Sequence, residues 1–128
     1  NWDLVDISCY HVVGSYLLNR KAEAKRVLSK LAKSKNLWER RIAIISTYAF
    51  IRNNDLALTY DIADMLLEDE HDLMHKAVGW MLREAGKRDE NGLKDYLMKN
   101  IRQLPRTTLR YAIERFPKSE RKRFLLMR

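Results

Sequence analysis

The chain has 128 residues, 46% hydrophobic and 33% charged, with four Gly and two Pro, a composition that disfavours disorder and low complexity and favours one helical domain. Its one cysteine, Cys9, excludes a disulfide scaffold and falls in an apolar helical run, where a buried reduced thiol and a cytoplasmic setting are expected. The net charge of +8 is unevenly placed: residues 1–53 carry +6, residues 54–75 carry −7 with no Lys or Arg, and residues 76–128 carry +9, which makes an anionic partner such as nucleic acid a leading expectation.

In chain order, the apolar spacing predicts a first helix over 2–18, with Leu4, Val5, Cys9, Val12, Val13, Tyr16 and Leu17 on one side. A second covers 22–32. Ser34, Lys35 and Asn36 punctuate the chain, and Asn36 is placed to cap a helix over 37–51, whose stripe is Leu37, Ile44, Tyr48 and Ile51. In that helix Trp38 and Arg41 lie three apart, so ring and guanidinium share a face. Next comes an acidic amphipathic helix over 55–67, built on Leu58, Ile62, Met65 and Leu66. Asp72 is the expected cap of a helix that runs to Gly86, and another follows over 92–104. Pro105 breaks it, Thr107 or Thr108 caps a helix through Phe116, and Pro117 suits the start of a last basic helix over 118–127. No stretch alternates as a strand would, and none is apolar for long enough to cross a membrane.

Trp2, Trp38 and Met74 are spaced 36 residues apart, so the design repeats. Paired helices at that period predict an all-α fold, an α-solenoid of HEAT-like repeats, in preference to an irregular bundle. On this register Trp2, Trp38 and Met74 open second helices of repeats, and the helix at Trp2 lacks its first-helix partner. Residues 1–128 are therefore expected to be a single repeat domain without the N-terminal repeats of a longer protein. The uncovered face, with Leu4, Val12 and Tyr16 as candidates, would favour self-association through the N-terminal helix.

The segments NWDLVD at 1–6, LWERRIAI at 37–44, KAVGWMLREAGK at 76–87 and LRYAIERFP at 109–117 resemble the HEAT-like DNA alkylation-repair glycosylases of the AlkD family, in the right order and spacing. The resemblance implies excision of cationic alkylated purines, such as 3-methyladenine and 7-methylguanine, from double-stranded DNA without turning the base into a pocket. It implies Asp6 as the catalytic aspartate, Trp2 and Trp80 as cleft tryptophans, and Arg41 as a phosphate-side arginine. Trp38, Lys76, Arg40 and Arg83 are expected as further DNA contacts. No cofactor, metal or membrane is expected, and the implied setting is cytoplasmic and nucleoid-associated. This stretch alone is expected to bind duplex weakly and to excise slowly.

The chemistry of the residues agrees with that implication. A cationic purine is already a good leaving group, so one carboxylate that stabilises an oxocarbenium-like sugar and guides a water suffices. Trp2 and Asp6, four apart, share a helical face, and an arginine holds a phosphate by two parallel hydrogen bonds. Each residue also has a plainer use: a tryptophan in core packing, an aspartate against a helix dipole, Arg41 in a surface pair with Glu39. Within one repeat, moreover, Trp80 falls about 120° from Trp2, so periodicity alone does not put it on the same face. A non-catalytic HEAT-like scaffold that binds DNA or an acidic protein is the alternative. His71 and His75 have a metal-compatible spacing without evident further ligands, so both are expected on the surface.

Overall fold

The computed structural model describes residues 17–128, with eight helices and no strand among them. All but the last two residues of the expected first helix lie outside the described residues, and with them Trp2, Asp6, Cys9 and the proposed self-association face at Leu4, Val12 and Tyr16. The helices are α1 (Lys21–Ala32), α2 (Leu37–Ile45), α3 (Tyr48–Arg52), α4 (Ala57–Leu66), α5 (Asp72–Arg88), α6 (Glu90–Asn100), α7 (Arg106–Ala112) and α8 (Lys118–Met127).

Two layers result. The hairpins α1/α2 and α4/α5 each bury their facing stripes, α1 packs on α4 in one layer, and α2 packs on α5 and α5 on α7 in the other. Leu28, Ile44, Ile62, Met81, Leu82 and Leu97 are fully buried between them. The expected all-α solenoid of helical repeats is the observed fold. The starts of α1 and α4 lie 36 residues apart and those of α2 and α5 lie 35 apart, while α6 follows α4 by only 33, so the repeat tightens along the chain.

Several boundaries differ from the sequence expectation, each for a local reason. Asn36 does cap α2, its Oδ1 accepting from the backbone N–H of Trp38 at 2.8 Å and of Glu39 at 3.3 Å. The helix expected over 37–51 is nevertheless broken into α2 and α3. Thr47 Oγ1 donates to the Ile44 carbonyl at 2.6 Å, and the Thr47 N–H also turns to Ile44, at 3.2 Å, so the ladder tightens by one residue. His71, not Asp72, caps α5: its Nδ1 accepts from Leu73 N–H at 3.2 Å. Gly86 does not end α5. A Cβ there would lie 2.3 Å from Leu93 Cδ2, so the glycine lets α6 approach, and Asp89 both ends α5 and caps α6. Met65, expected in the apolar stripe of α4, is 37% exposed, and Leu67 is buried beside that helix instead. Neither Thr107 nor Thr108 caps α7. Thr108 is buried and its Oγ1 donates to the His75 carbonyl at 3.0 Å, tying α7 to α5.

At the α5/α7 contact a glycine faces the backbone and the Cβ of its neighbour rather than the end of a side chain. A Cβ on Gly79 would fall 2.5 Å from Tyr111 Cβ and 2.8 Å from the Thr108 carbonyl oxygen, and neither can swing away. Gly79→Ala is therefore expected to push α7 off α5 and cost roughly 1–3 kcal/mol despite the gain in helix propensity, read as a lowered denaturation midpoint.

In the other layer α4 meets α6 through Tyr60 and Tyr96, whose rings lie 4.8 Å apart, and Tyr96 Oη donates to Asp64 at 2.8 Å. Tyr60 Oη is buried without a hydrogen-bond partner, and burial, assisted by the negative charge of Asp89, pushes its hydroxyl up to about 12. A native value above the unfolded value of 10.0 leaves the tyrosine's contribution intact below pH 10, and the contribution is lost as pH climbs towards 12. Tyr60→Phe is expected to leave stability within ~1 kcal/mol of wild type at pH 7 and to make unfolding less steep in pH between 10 and 12. Equal pH dependence in both proteins would assign the alkaline loss to other groups.

Candidate functional site

The open face of the second layer is built chiefly by α5. Its buried positions Met74, Ala77, Val78, Met81, Leu82 and Ala85 turn to the core, which leaves Leu73, Lys76, Trp80 and Arg83 half-buried along the opposite side at spacings of three and four. Trp80 packs against the core and remains partly exposed. A tryptophan held so between a lysine one turn before it and an arginine one turn after it offers a flat apolar wall between cations.

The Trp38 and Arg41 face of α2 joins this row at Leu73. Arg41 Nη1 donates to the Leu73 carbonyl at 3.1 Å, which fixes the guanidinium at the junction of α2 and α5. Arg41 is only 8% exposed, whereas Trp38, in the first turn of α2, is 43% exposed. Packing of α2 on α5 thus brings buried Arg41 against the Leu73 end of the row that Lys76, Trp80 and Arg83 continue, with Trp38 exposed at the start of α2. Helical spacing within a repeat had left Trp80 unplaced relative to this face, and packing of α2 on α5 supplies the missing relation. Trp2 and Asp6 lie outside the described residues.

The cations of this surface differ in how freely they could turn to a phosphate. Lys76 pairs with Asp72 at 3.4 Å, with both side chains about half exposed, and such a pair contributes little and exchanges easily. Arg83 pairs with Glu114 in the turn after α7 and lies 3.7 Å from Glu84. Arg40 is different. Its Nε donates to Asp69 at 2.7 Å, its Nη1 to the Ser34 carbonyl at 3.2 Å, and Asp69 is 7% exposed, so turning Arg40 outwards would strand a buried carboxylate. Arg40 is thereby held to a structural task, tying the start of α2 to the loop before α5, as Arg41 on the Leu73 carbonyl ties α2 to α5 itself. His71 is exposed and capped into α5, and the half-buried His75 ring nitrogen Nε2 meets the Asp69 carbonyl, so both imidazoles serve the same loop.

Sequence reasoning also missed how the acidic segment is used. Asp55 meets Lys21 at 3.0 Å, Asp61 meets Lys25 at 3.5 Å and Asp69 accepts from Arg40, so three of the seven acids of residues 54–75 neutralise cations of the preceding repeat, while Asp64 accepts from the Tyr96 hydroxyl of the following one. The partners are about one repeat away in sequence, 29 residues for Arg40 and 32 for Tyr96, a spacing that the repeat period itself would have suggested.

A search of curated proteins finds no match to the chain. Among models of protein families, that of the DNA alkylation repair enzymes matches residues 1–116, which takes in every helix through α7 and the whole of the tryptophan and arginine surface. With that match covering most of its length and a helical-repeat solenoid as its fold, the chain belongs to the DNA alkylation repair enzyme family.

Proposed function

We propose that this protein is a monofunctional DNA glycosylase that hydrolyses the N-glycosidic bond of cationic alkylated purines, 3-methyladenine and 7-methylguanine, in duplex DNA without base flipping. The observation that carries the reading is the half-open Trp80 between Lys76 and Arg83 on the face that Trp38 and Arg41 extend, in a chain of this repair family. An open wall of that kind suits a lesion read by its charge, since an aromatic face attracts a cation and needs no pocket to hold it.

In the proposed reaction the C1′–N bond breaks with both electrons passing to the base, which leaves neutral. The sugar develops oxocarbenium character, and water adds at C1′ and gives up a proton, so the products are the free base and an abasic site. Asp6 supports the positive sugar and orients the water, and Trp2 and Trp80 wall the lesion from solvent. Arg41, and Lys76 with Arg83, hold backbone phosphates on either side, with Trp38 against the sugar edge. Phosphate contacts of this kind set position and carry no base code, which a charge-reading enzyme does not need.

Asp6→Asn is expected to keep duplex affinity within a few-fold while excision of 7-methylguanine falls roughly 10²-fold or more, because only the transition-state charge interaction is removed. Retained excision, or a loss of binding equal to the loss of rate, would take the catalytic role away from Asp6. Arg41→Ala is expected to act twice. Losing the charged bond to the Leu73 carbonyl costs about 2 kcal/mol of stability, and losing a phosphate contact lowers the salt slope of DNA binding by about one. A folded Arg41→Ala variant with the wild-type slope would make Arg41 a purely structural residue.

A further inference from the structure

Residues 101–128 carry nine Lys/Arg and two acids, Glu114 and Glu120. Both acids are engaged outside that segment, Glu114 by Arg83 on α5 and Glu120 by Lys94 on α6, the latter at 2.9 Å. None of the nine cations forms an ion pair with a carboxylate among the described residues. Three of the arginines are instead anchored by backbone carbonyls around the junction of α7 and α8: Arg106 Nη1 on Leu125 at 3.5 Å, Arg121 Nη1 on Phe116 at 2.7 Å, and Arg128 Nε on Leu104. A carbonyl orients a guanidinium and leaves its full positive charge in place, whereas a carboxylate cancels it.

Arg110 completes the group. It is exposed, and with Arg121 it flanks a cleft of about 410 Å³ between α7 and α8, floored by Ile113 and Leu125 and bordered by Glu114, whose carboxylate pairs with Arg83. Its place on α7 also links it to the surface described above. Glu114, one turn further on, reaches Arg83, so Arg110 lies one turn from the residue that meets the α5 row.

We propose that the α7/α8 junction, through Arg110 and Arg121 with Arg106 beside them, is a backbone-phosphate site for duplex DNA that lies outside the lesion-facing surface. This rests on the reading of the protein as a DNA enzyme but not on the chemistry assigned to Asp6. Arg106 and Arg121, oriented by carbonyls and not cancelled by a carboxylate, with exposed Arg110 beside them, fit a phosphodiester, which accepts two parallel N–H bonds. The site lengthens the footprint and adds a sequence-independent, salt-sensitive share of the affinity.

The test is duplex binding by the protein and its Arg110→Gln variant, with lesion-free duplexes lengthened stepwise and salt titrated at each length. The wild type is expected to gain affinity once the duplex reaches the junction, several-fold at low salt, with a salt slope steeper by about one or two; Arg110→Gln is expected to lose that step. Lys99→Gln, on α6 in the other layer, serves as the control for net charge. A wild-type slope in Arg110→Gln at every length, or an equal loss in Lys99→Gln, would overturn the site. Arg121 also holds the Phe116 carbonyl, so Arg121→Lys is the second variant, and a melting curve like that of wild type with a weakened length step supports the proposal. Should the wild type show the length step but excise no methylated base, the glycosylase reading fails while the phosphate site stands.

Discussion

The described part of the molecule depends on one helix having two dissimilar sides. α5 packs against α2, α3, α4, α6 and α7, so the repeats before and after it are joined through its buried positions. With Met74, Ala77, Val78, Met81 and Leu82 all closed off, only the narrow remaining stripe of α5 is available for anything else. The core therefore fixes the direction of Lys76, Trp80 and Arg83 with the rigidity of a packed interior. Gly79 is the point where this constraint is sharpest, since α7 is close enough there to leave no room for a methyl group.

Charge follows the same economy of neighbours. A repeat protein has no single centre in which to bury ion pairs, so carboxylates on one repeat meet cations of the next, as Asp55 and Asp61 on the second repeat meet Lys21 and Lys25 on the first. These are exposed pairs of small individual worth, and their effect is on the field rather than on stability. By the time the acidic segment has been matched in this way, the surplus of the chain is concentrated in its last two helices.

Much of this was legible in the sequence where the cause is local. Asn36 is a cap because its own side chain reaches two residues on, and the α5 stripe can be read from spacing alone. The repeat period predicted the layers because each helix is one unit of the same design. What was not legible required a partner distant in sequence. Thr108 reads as a cap until His75, 33 residues earlier, is seen to take its hydroxyl, and Gly86 reads as a helix end until Leu93 is seen against it. The break at Thr47 is local yet ambiguous, because a threonine inside an apolar run keeps helical dihedrals while its hydroxyl tightens the turn. Arg41 and Arg40 are adjacent and alike in sequence, and only tertiary contacts separate them: one holds α2 to α5 by a carbonyl, the other is locked to a buried aspartate.

Those contacts also bear on how a basic protein can approach a basic lesion. Two like unit charges 4 Å apart repel by about 1 kcal/mol in water and about 4 kcal/mol near a protein surface, so bare lysines and arginines around a cationic purine would oppose the binding that the reaction needs. Beside Trp80 that opposition is reduced, since Lys76 has Asp72 within 3.4 Å and Arg83 has Glu114. The carboxylates leave the aromatic wall in a nearly neutral setting, in which its attraction for a cation is not overridden. On the proposed reading the arginines at the α7/α8 end, held by backbone carbonyls, add to the hold on the phosphate backbone at a place that does not face the base. On the proposed chemistry, separating the two in space lets the same surface attract a polyanion and still accept a positively charged leaving group.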